Sequence, residues 1–325
     1  MFNRIILGIC CSLLTVWLAP PLAGAQIKKV VISFPARSYS TLPIQVGLVK
    51  GFFKEEALEP VLVQMRGQVA VPALMNGETQ YTLSFSPVLA SILQGAPLKF
   101  VGIVSEKPLH YLVARPEIAT INDLRGKKIG VQRIGSTDHV VSEALIEAKG
   151  LSVKAVKIIT LGFDDAMRVE FMKKGVIDAT AAQPPSPMRL QQEGYRVLAG
   201  PSDLKIGSPA TGIAVTEKRL QENPDEVRRV LRSVVRGIRF IFDRRAESID
   251  IMTQWLGQSR DTAEASYSAI VASLSPDGAT TEATMKYTID SRLRLVDSAK
   301  PVSPAQATDF TLVNDIARRL GVQSR

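Results

Sequence analysis

A short polar turn at residues 135–138, with the sequence Gly-Ser-Thr-Asp, carries residue types suited to three kinds of chemistry. It follows a strand-like run at 128–131 and leads into a helical pattern with apolar residues from Val140 onward. The hydroxyls of Ser136 and Thr137 could cap that helix or act as nucleophiles. Together with the unpaired N–H groups of a helix start they could also hold a polar or anionic ligand. Considered alone, the turn fits a cap and a ligand cradle equally well.

The position of the turn favours the ligand cradle. It lies at the carboxyl end of a strand in a predicted open α/β sheet, which is where ligands collect in such folds. A second hydroxyl-rich loop occurs 99 positions earlier, at Ser38, Tyr39, Ser40 and Thr41. We therefore expect Ser38 and Thr137 to face one another across a cleft.

A second pair of loops follows the same logic. Residues 84–87, Ser-Phe-Ser-Pro, end one predicted strand, and Gln183 ends the corresponding strand about 98 positions later. A proline at a helix start leaves neighbouring N–H groups available to a ligand, and the Gln183 amide can both donate and accept. Tyr39 and Phe85 could cover an apolar or planar part of a ligand, or could simply pack in the core.

Catalysis and metal binding are less favoured. Ser136, Asp138 and His139 are too close in sequence to form a triad, and no G-x-S-x-G turn is present. The two cysteines, Cys10 and Cys11, lie in a segment that we expect to be removed, and the chain has only two histidines. We therefore predict no thiol chemistry, no metal site, no catalytic residue and no cofactor.

The elements that must position these loops alternate between apolar runs of strand length and helical patterns. Examples are the strand predicted at 30–34, the helix opened by Pro43, and the strand predicted at 81–85. Such alternation predicts a mostly parallel sheet covered by helices. The middle of the chain repeats the scheme of the first part at an offset of 98 or 99 positions, which predicts two lobes built alike.

The ends of the chain complete the predicted organisation. Arg4, an apolar run of about 15 residues and Ala23-Gly24-Ala25 predict a signal peptide, residues 1–25, because the run is shorter than the roughly 20 residues of a spanning helix. The remaining 300 residues form lobe 1 (26–107 and 209–325) and lobe 2 (108–208), joined by crossovers at 105–109 and 206–210.

The charge of the chain gives weaker information. The net charge of +9 falls to +8 without Arg4 and slightly favours acidic small molecules. A long helix predicted after Pro224 has an apolar stripe and, off that stripe, four arginines at 228, 232, 236 and 239. A solvated face explains them better than a nucleic-acid surface, because no exposed aromatic residues accompany them.

Three stretches of the chain resemble the periplasmic solute-binding proteins of ABC transporters, of the nitrate/sulfonate/taurine and thiamine-pyrimidine type. They are "GLVKGFFKEEALEPVLV", "LKFVGIVSEKPLHYLVARPEIATINDLRGKKIGVQRIGSTDH" and "GIAVTEKRLQENPDEVRRVLRSVVRGIRF". The Cys-rich iron motif of the thiamine-pyrimidine synthase branch is absent, which counts against that enzymatic activity. The resemblance implies two Rossmann-like α/β lobes in a type II periplasmic binding protein fold, with the ligand in the cleft between them.

The resemblance also implies a ligand-binding set and a set of partners. The family's site loops fall on Ser38, Tyr39, Ser40, Thr41, Gln68, Ser84, Phe85, Ser86, Gly135, Ser136, Thr137, Asp138 and Gln183. We expect a monomeric periplasmic protein that captures a sulfonate, nitrate or pyrimidine-like solute by hinge closure. Its partners would be a membrane permease and an ATPase, with no nucleic acid. The alternatives are a ligand-sensing receptor lobe and an exported enzyme on the same fold.

Overall fold

The computed structural model describes residues 27–162, 165–204, 209–293, 296 and 300–322. The predicted signal peptide at 1–25 and residues 206–208 of the second predicted crossover lie outside these ranges. In the part of the chain that the structure describes, none of the helices combines the length and the apolar character needed to cross a bilayer.

The described strands form two five-stranded sheets. In chain order the strands are β1 (Lys28–Phe34), β2 (Leu58–Gln64), β3 (Tyr81–Thr82), β4 (Leu98–Ser105), β5 (Tyr111–Ala114), β6 (Lys128–Val131), β7 (Lys157–Thr160), β8 (Ala179–Ala182), β9 (Arg196–Ala199) and β10 (Thr211–Thr216). The order is β2-β1-β3-β10-β4 in the sheet of lobe 1 and β7-β6-β8-β5-β9 in that of lobe 2. The fold class predicted from the sequence is confirmed.

The internal repeat is visible in the topology of the two sheets. Each sheet has three parallel strands, followed by an antiparallel strand that enters from the other lobe and by a final edge strand. Corresponding strands start between 98 and 100 positions apart, as Lys28 and Lys128 do for β1 and β6. The spacing in the sequence therefore reflects two structural units of the same design.

Helices cover both sheets, and those that follow β10 belong to lobe 1. They are α1 (Leu42–Val49), α2 (Phe52–Glu55), α3 (Gly67–Met75), α4 (Phe85–Leu93), α5 (Thr137–Ala148), α6 (Asp165–Lys173), α7 (Ser186–Gln192), α8 (Glu217–Glu222), α9 (Pro224–Asp243), α10 (Arg245–Leu256), α11 (Arg260–Ser273), α12 (Glu282–Leu293), α13 (Pro304–Ala307) and α14 (Thr311–Arg319). The core of lobe 1 is continuous from β1 through α1 and α9 to α14.

One predicted strand is wrong at its end. The strand expected over 81–85 stops at Thr82, and Phe85 begins α4 instead. The ring of Phe85 stacks on that of Phe100, with centroids 4.5 Å apart, inside the core of lobe 1. A short apolar run has the same composition in a buried strand and in the first turn of a buried helix, so the sequence pattern did not separate the two.

The start of the first crossover is hydrogen-bonded to the end of the second. The N–H of Ala210 donates to the carbonyl of Ser105 at 2.9 Å. Glu106 is buried, accepts a hydrogen bond from the Thr280 hydroxyl at 2.9 Å, and donates its N–H to the carbonyl of Ser273. These bonds hold the connection between the lobes against the C-terminal helices of lobe 1. The exact lobe boundaries at 107/108 and 208/209 stay predictions.

The arginines of α9 are engaged with acidic side chains. One of the four joins α9 to α14, and two join α9 to the last residue of α2 or to the residue that follows α2. The fourth pairs with an aspartate four positions later in α9 itself. The pairs are Arg228–Asp315, Arg232–Glu56, Arg236–Glu55 and Arg239–Asp243. Because each positive charge has an acidic partner, this face is not a free basic surface, which favours the structural interpretation over nucleic-acid binding.

A buried carboxylate at the first turn of α9 joins three parts of lobe 1. Glu226 is 2% exposed and lies 2.6 Å from Lys28 Nζ. It also accepts hydrogen bonds from the Tyr81 hydroxyl at 2.7 Å and from Arg219 Nε at 3.0 Å. Burial opposes its ionisation, but hydrogen bonds from Lys28, Tyr81 and Arg219 outweigh it and hold the pKa of Glu226 below its usual value.

We expect Glu226→Gln to lower the free energy of unfolding by about 2 kcal/mol at neutral pH, because charged hydrogen bonds are lost. A lowered folded-state pKa stabilises the fold above the unfolded pKa, and that stabilisation disappears as the pH falls through the folded pKa. The difference between wild type and variant should therefore shrink on acidification below about pH 4. Denaturant unfolding at neutral pH and below about pH 4 measures this difference in unfolding free energy. The exposed Glu222→Gln serves as the control. An undiminished difference at acid pH would contradict this assignment.

Candidate functional site

The turn at 135–138 does not cap its own helix with a side chain. Gly135 has a φ of +79°, a left-handed conformation that favours glycine, and α5 begins at Thr137. The Ser136 hydroxyl donates to the carbonyl of Arg133 at 2.6 Å, and the Gly135 N–H donates to Nδ1 of His139 at 3.1 Å. Ser136, the N-cap residue of α5, makes no side-chain cap bond to the helix. The hydroxyl of Thr137 instead contacts a group outside the helix.

Thr137 reaches the other lobe. Its Oγ1 lies 2.6 Å from Oγ of Ser86, which is buried in the first turn of α4. Arg292 of α12 reinforces the contact, because its Nη2 donates to Ser86 Oγ at 2.8 Å and its Nη1 donates to the carbonyl of Gly135. The lobes thus meet through two hydroxyls and one guanidinium. No pattern in the sequence pointed to Arg292, which lies in a C-terminal helical pattern far from the predicted loops.

The loop around Ser38 satisfies its own hydroxyls. Ser38 Oγ lies 2.9 Å from Ser40 Oγ, and the Thr41 hydroxyl donates to the carbonyl of Ser38 at 2.9 Å. Tyr39 is buried and donates to Oε1 of Gln258 at 2.6 Å, and burial raises the pKa of Tyr39. The hydroxyl that contacts Thr137 is therefore that of Ser86, and Ser38 pairs within its own loop. The repeat identified equivalent loops, but it does not specify which of them approach one another.

Arg168 organises the loops of lobe 2. It is 1% exposed, lies 3.6 Å from Asp138 Oδ2, and forms an ion pair with Asp165. Asp138 accepts from the N–H of Gln132 at 2.6 Å, and Asp165 accepts from the N–H of Gln183 at 2.9 Å. One buried guanidinium thus connects the turn at 135–138 with the loop that carries Gln183. The structure gives Asp138 a supporting role, and no pattern in the sequence pointed to Arg168.

Several buried polar atoms near the ends of the strands lack a hydrogen-bond partner among the described residues. In lobe 1 they include Ser84 Oγ, and at the β5–β8 edge of lobe 2 they include His110 Nδ1 and Gln183 Oε1. His110 Nε2 lies 3.3 Å from Gln183 Nε2, and burial lowers the pKa of His110, so its imidazole is neutral at neutral pH. An unpaired buried group costs about 1–3 kcal/mol, so these atoms indicate a place for a polar ligand or for water.

A cavity of about 450 Å³ lies between the lobes, which we call the interlobe cavity. Lobe 1 contributes α3, α4 and α12 to its walls, and lobe 2 contributes residues 133–135. It includes three residues that the sequence predicted, Gln68, Ser86 and Gly135, and among the residues that the sequence did not predict are two arginines, Arg133 and Arg292. Phe85, in contrast, lies in the core. Within the described ranges no cluster of His, Cys, Asp and Glu could hold a metal ion.

The matched family profile settles the membership of the chain. The profile described as NMT1/THI5 like matches residues 39–248. This segment contains every strand of both sheets except β1. The chain belongs to the NMT1/THI5-like family. The resemblance inferred from the sequence is confirmed by this match.

Among curated proteins, this NMT1/THI5-like chain is similar to the riboflavin-binding protein RibY from Chloroflexus aurantiacus. The two are 28% identical over 225 residues, which cover 67% of this chain and 63% of RibY. The chain therefore spans less than two thirds of the length of that curated relative.

Two solved structures share the fold. The periplasmic aliphatic sulphonate binding protein SsuA from Escherichia coli has a TM-score of 0.71 and 22% identity, covering 88% of this chain and 99% of SsuA. The periplasmic nitrate-binding protein NrtA from Synechocystis PCC 6803 has a TM-score of 0.72 and 12% identity, covering 91% of this chain and 90% of NrtA. At these identities the likeness establishes the architecture of the NMT1/THI5-like chain.

Proposed function

We propose that this protein is an exported substrate-binding protein of an ABC importer, which captures a small organic solute between its lobes and delivers it to a membrane permease. One observation carries the proposal. Two lobes of the same design meet through Ser86 and Thr137 beside a cavity of about 450 Å³. Ligand that contacts both lobes stabilises the closed arrangement over an open one, which is how hinge closure is driven.

The solute is proposed from the cavity and the relatives together. Ligand cavities for organic molecules measure roughly 300–1,000 Å³, so 450 Å³ suits an organic solute better than a bare nitrate ion. The names of SsuA and RibY point to sulfonates and flavins as classes to test. We propose a periplasmic location, a permease and its ATPase as partners, and no catalytic reaction at this site.

The binding groups proposed here are the polar side chains at the strand ends. Gln183 and Ser84 present buried oxygens that have no partner within the described chain, one from each lobe. Neither residue lines the interlobe cavity itself. A ligand that extends from the cavity to these oxygens would satisfy them and would link the lobes. Thr137 and Ser38 stay proposed contacts, Thr137 through the interlobe hydroxyl pair and Ser38 from the loop that precedes α1.

Small-angle scattering and calorimetric titration test the proposal. We would titrate the protein with riboflavin, hexane-1-sulfonate, nitrate, hexanoate and a pyrimidine, and then measure the radius of gyration at saturation with any compound that binds. We expect at least one organic compound to bind and to give a smaller radius of gyration than that of the free protein. A radius that is unchanged or larger at saturation would contradict closure.

Gln183→Ala locates the site. Removing an amide that bonds to the ligand should weaken binding roughly tenfold, since about 1.4 kcal/mol is a factor of ten in affinity. Gln192→Ala removes the same type of side chain from an exposed position at the end of α7 in lobe 2 and serves as the matched control. Equal affinities for the two variants would place the ligand elsewhere.

A further inference from the structure

The interlobe cavity contains two arginines and no acidic residue among its lining residues. Arg133 comes from lobe 2, and Arg292 comes from α12 of lobe 1. The polar wall is completed by neutral side chains, which include Gln68, Ser86 and Ser91. Nothing that lines the cavity therefore offsets the two positive charges.

Neither guanidinium forms an ion pair in the part of the chain that the structure describes. Arg292 is 5% exposed and directs two donors at neutral oxygens, the Ser86 hydroxyl and the Gly135 carbonyl. Burial, and next the charge of Arg133, lower the pKa of Arg292 to about 10, so it remains charged at neutral pH. The carboxylate of Asp138 acts in the opposite direction, but it is already engaged by Arg168 and by the N–H of Gln132.

The backbone adds to the positive potential. Helix α3 begins at Gly67, and its start packs against Arg133: a Cβ placed on Gly67 would lie 3.3 Å from Arg133 Nη2. Helix α4 brings Ser86, in its first turn, to the same cavity. The N-terminus of a helix carries a partial positive charge, so both helix starts raise the potential that the two arginines create. Positive charge gathered in this way favours an anion.

The rest of the cavity suits the organic part of a solute. Val71, Pro72 and Ala90 line it from α3 and α4, and Ile134 lines it from lobe 2. The guanidinium group binds planar or tetrahedral oxyanions through paired N–H donors, and Arg292 uses only two of its five on the protein atoms described. An oxyanion and an apolar chain can thus be held side by side.

On the basis of the proposed function, we infer that the interlobe cavity holds the oxyanion head group of an organic solute, a carboxylate, sulfonate or phosphate monoester, between Arg133 and Arg292. The anion joins a cation of each lobe, so it contributes to closure as well as to affinity. It also separates two like charges that repel one another in the unliganded closed form. Neutral solutes of the same shape bind less tightly because they leave this repulsion in place.

Matched pairs of probes test the inference. Riboflavin 5′-phosphate and riboflavin differ by a phosphate monoester, and hexane-1-sulfonate and hexan-1-ol differ by the charged head group. Hexanoate tests the carboxylate, and sulfate and nitrate test whether an inorganic anion suffices. In calorimetric titrations the charged member of at least one pair should bind tenfold or more tightly than its neutral partner, as expected of charge-assisted hydrogen bonds. The preference should decrease at high salt.

The variants Arg133→Gln and Arg292→Gln should each reduce affinity for the charged probe about tenfold and leave the neutral probe nearly unchanged. Arg125→Gln removes the same charge from the exposed surface of lobe 2 and is the matched control. Arg292 also bonds across the lobes, so thermal melting and scattering accompany its titration. Arg133 makes no side-chain hydrogen bond within the described chain, and its variant therefore keeps the test informative if Arg292→Gln alters closure.

Three outcomes would overturn the inference: no charged probe binds, both members of each pair bind alike, or the charge preference survives in both arginine variants. If a neutral probe binds and its affinity falls in Gln183→Ala but not in the arginine variants, the inference is wrong while the proposed function stands. If no organic probe binds and scattering shows no ligand-stabilised closed form, the proposed function fails as well.

Discussion

Replacing Arg168 by Met is expected to lower the free energy of unfolding by about 3–5 kcal/mol, the usual cost of removing one partner from a buried ion pair. Arg168 is fully buried and lies between Asp138 and Asp165. It also donates to the carbonyl of Ala181 at 3.1 Å and to the Thr180 hydroxyl at 3.2 Å. Without it, the two carboxylates face one another with no cation between them, and Asp138 has little access to water.

The same substitution should also weaken ligand binding, because Arg168 positions two loops at once. Asp138 holds the N–H of Gln132 and Asp165 holds the N–H of Gln183, so both sides of the lobe 2 site depend on one side chain. Denaturant unfolding gives the stability change, and titration with a probe that binds the wild type gives the affinity change.

Arg115→Met is the matched control for Arg168→Met. Arg115 belongs to the same lobe and pairs with Glu117 at 2.9 Å, but Arg115 is about one third exposed and Glu117 lies on the surface. An exposed ion pair contributes about 0–1 kcal/mol, so this control should remain close to wild type. Similar losses for the two variants would show that burial of Arg168 has no special consequence.

Gly237→Val is expected to destabilise lobe 1 by about 3 kcal/mol, at the upper end of the usual cost of overpacking a core. Gly237 lies in α9 where that helix crosses α1, and a Cβ there would lie 2.2 Å from the carbonyl oxygen of Pro43. The obstructing atom belongs to the backbone of the neighbouring helix and cannot rotate away. The two helices would have to separate, although a residue other than glycine would by itself favour the helix.

Gly47→Ala separates this steric effect from the general sensitivity of the α1–α9 contact. A Cβ on Gly47 would lie 2.8 Å from the ring of Phe53, a side chain that can adjust, and 3.3 Å from the carbonyl of Ser233. We expect a smaller loss than for Gly237→Val when both are measured by thermal or denaturant unfolding. The prediction for Gly237 is wrong if its variant unfolds at the same denaturant concentration as the wild type.

The architecture was determined largely by local patterns in the sequence. Alternating apolar runs and helical patterns predicted two α/β lobes, and the offset of 98 or 99 positions predicted that they share a design. These features are readable because strand and helix periodicity, glycine turns and chain spacing are properties of neighbouring residues. Where two elements share a local signature, as at Phe85, the pattern gave the wrong element.

The site was determined only in part by the sequence. The strand-end rule selected the loops that carry Ser86, Gly135 and Thr137, and the structure places these three residues at the contact between the lobes. It did not determine that Ser86, instead of Ser38, meets Thr137. The approach of two loops depends on the orientation of two folded lobes, and no local spacing encodes that orientation.

Arg168 and Arg292 were decided by the tertiary structure alone. In the sequence each is one arginine in a helical pattern, where a charged residue ordinarily predicts a solvent-exposed face. Each is buried because residues distant in sequence supply its contacts: Asp138 and Ala181 for Arg168, Ser86 and Gly135 for Arg292. The sequence determined which secondary structures form and in what order. Which charges become buried, and whether an acid or a ligand neutralises them, was determined by long-range packing, because the free energy of a buried charge depends on its surroundings in space.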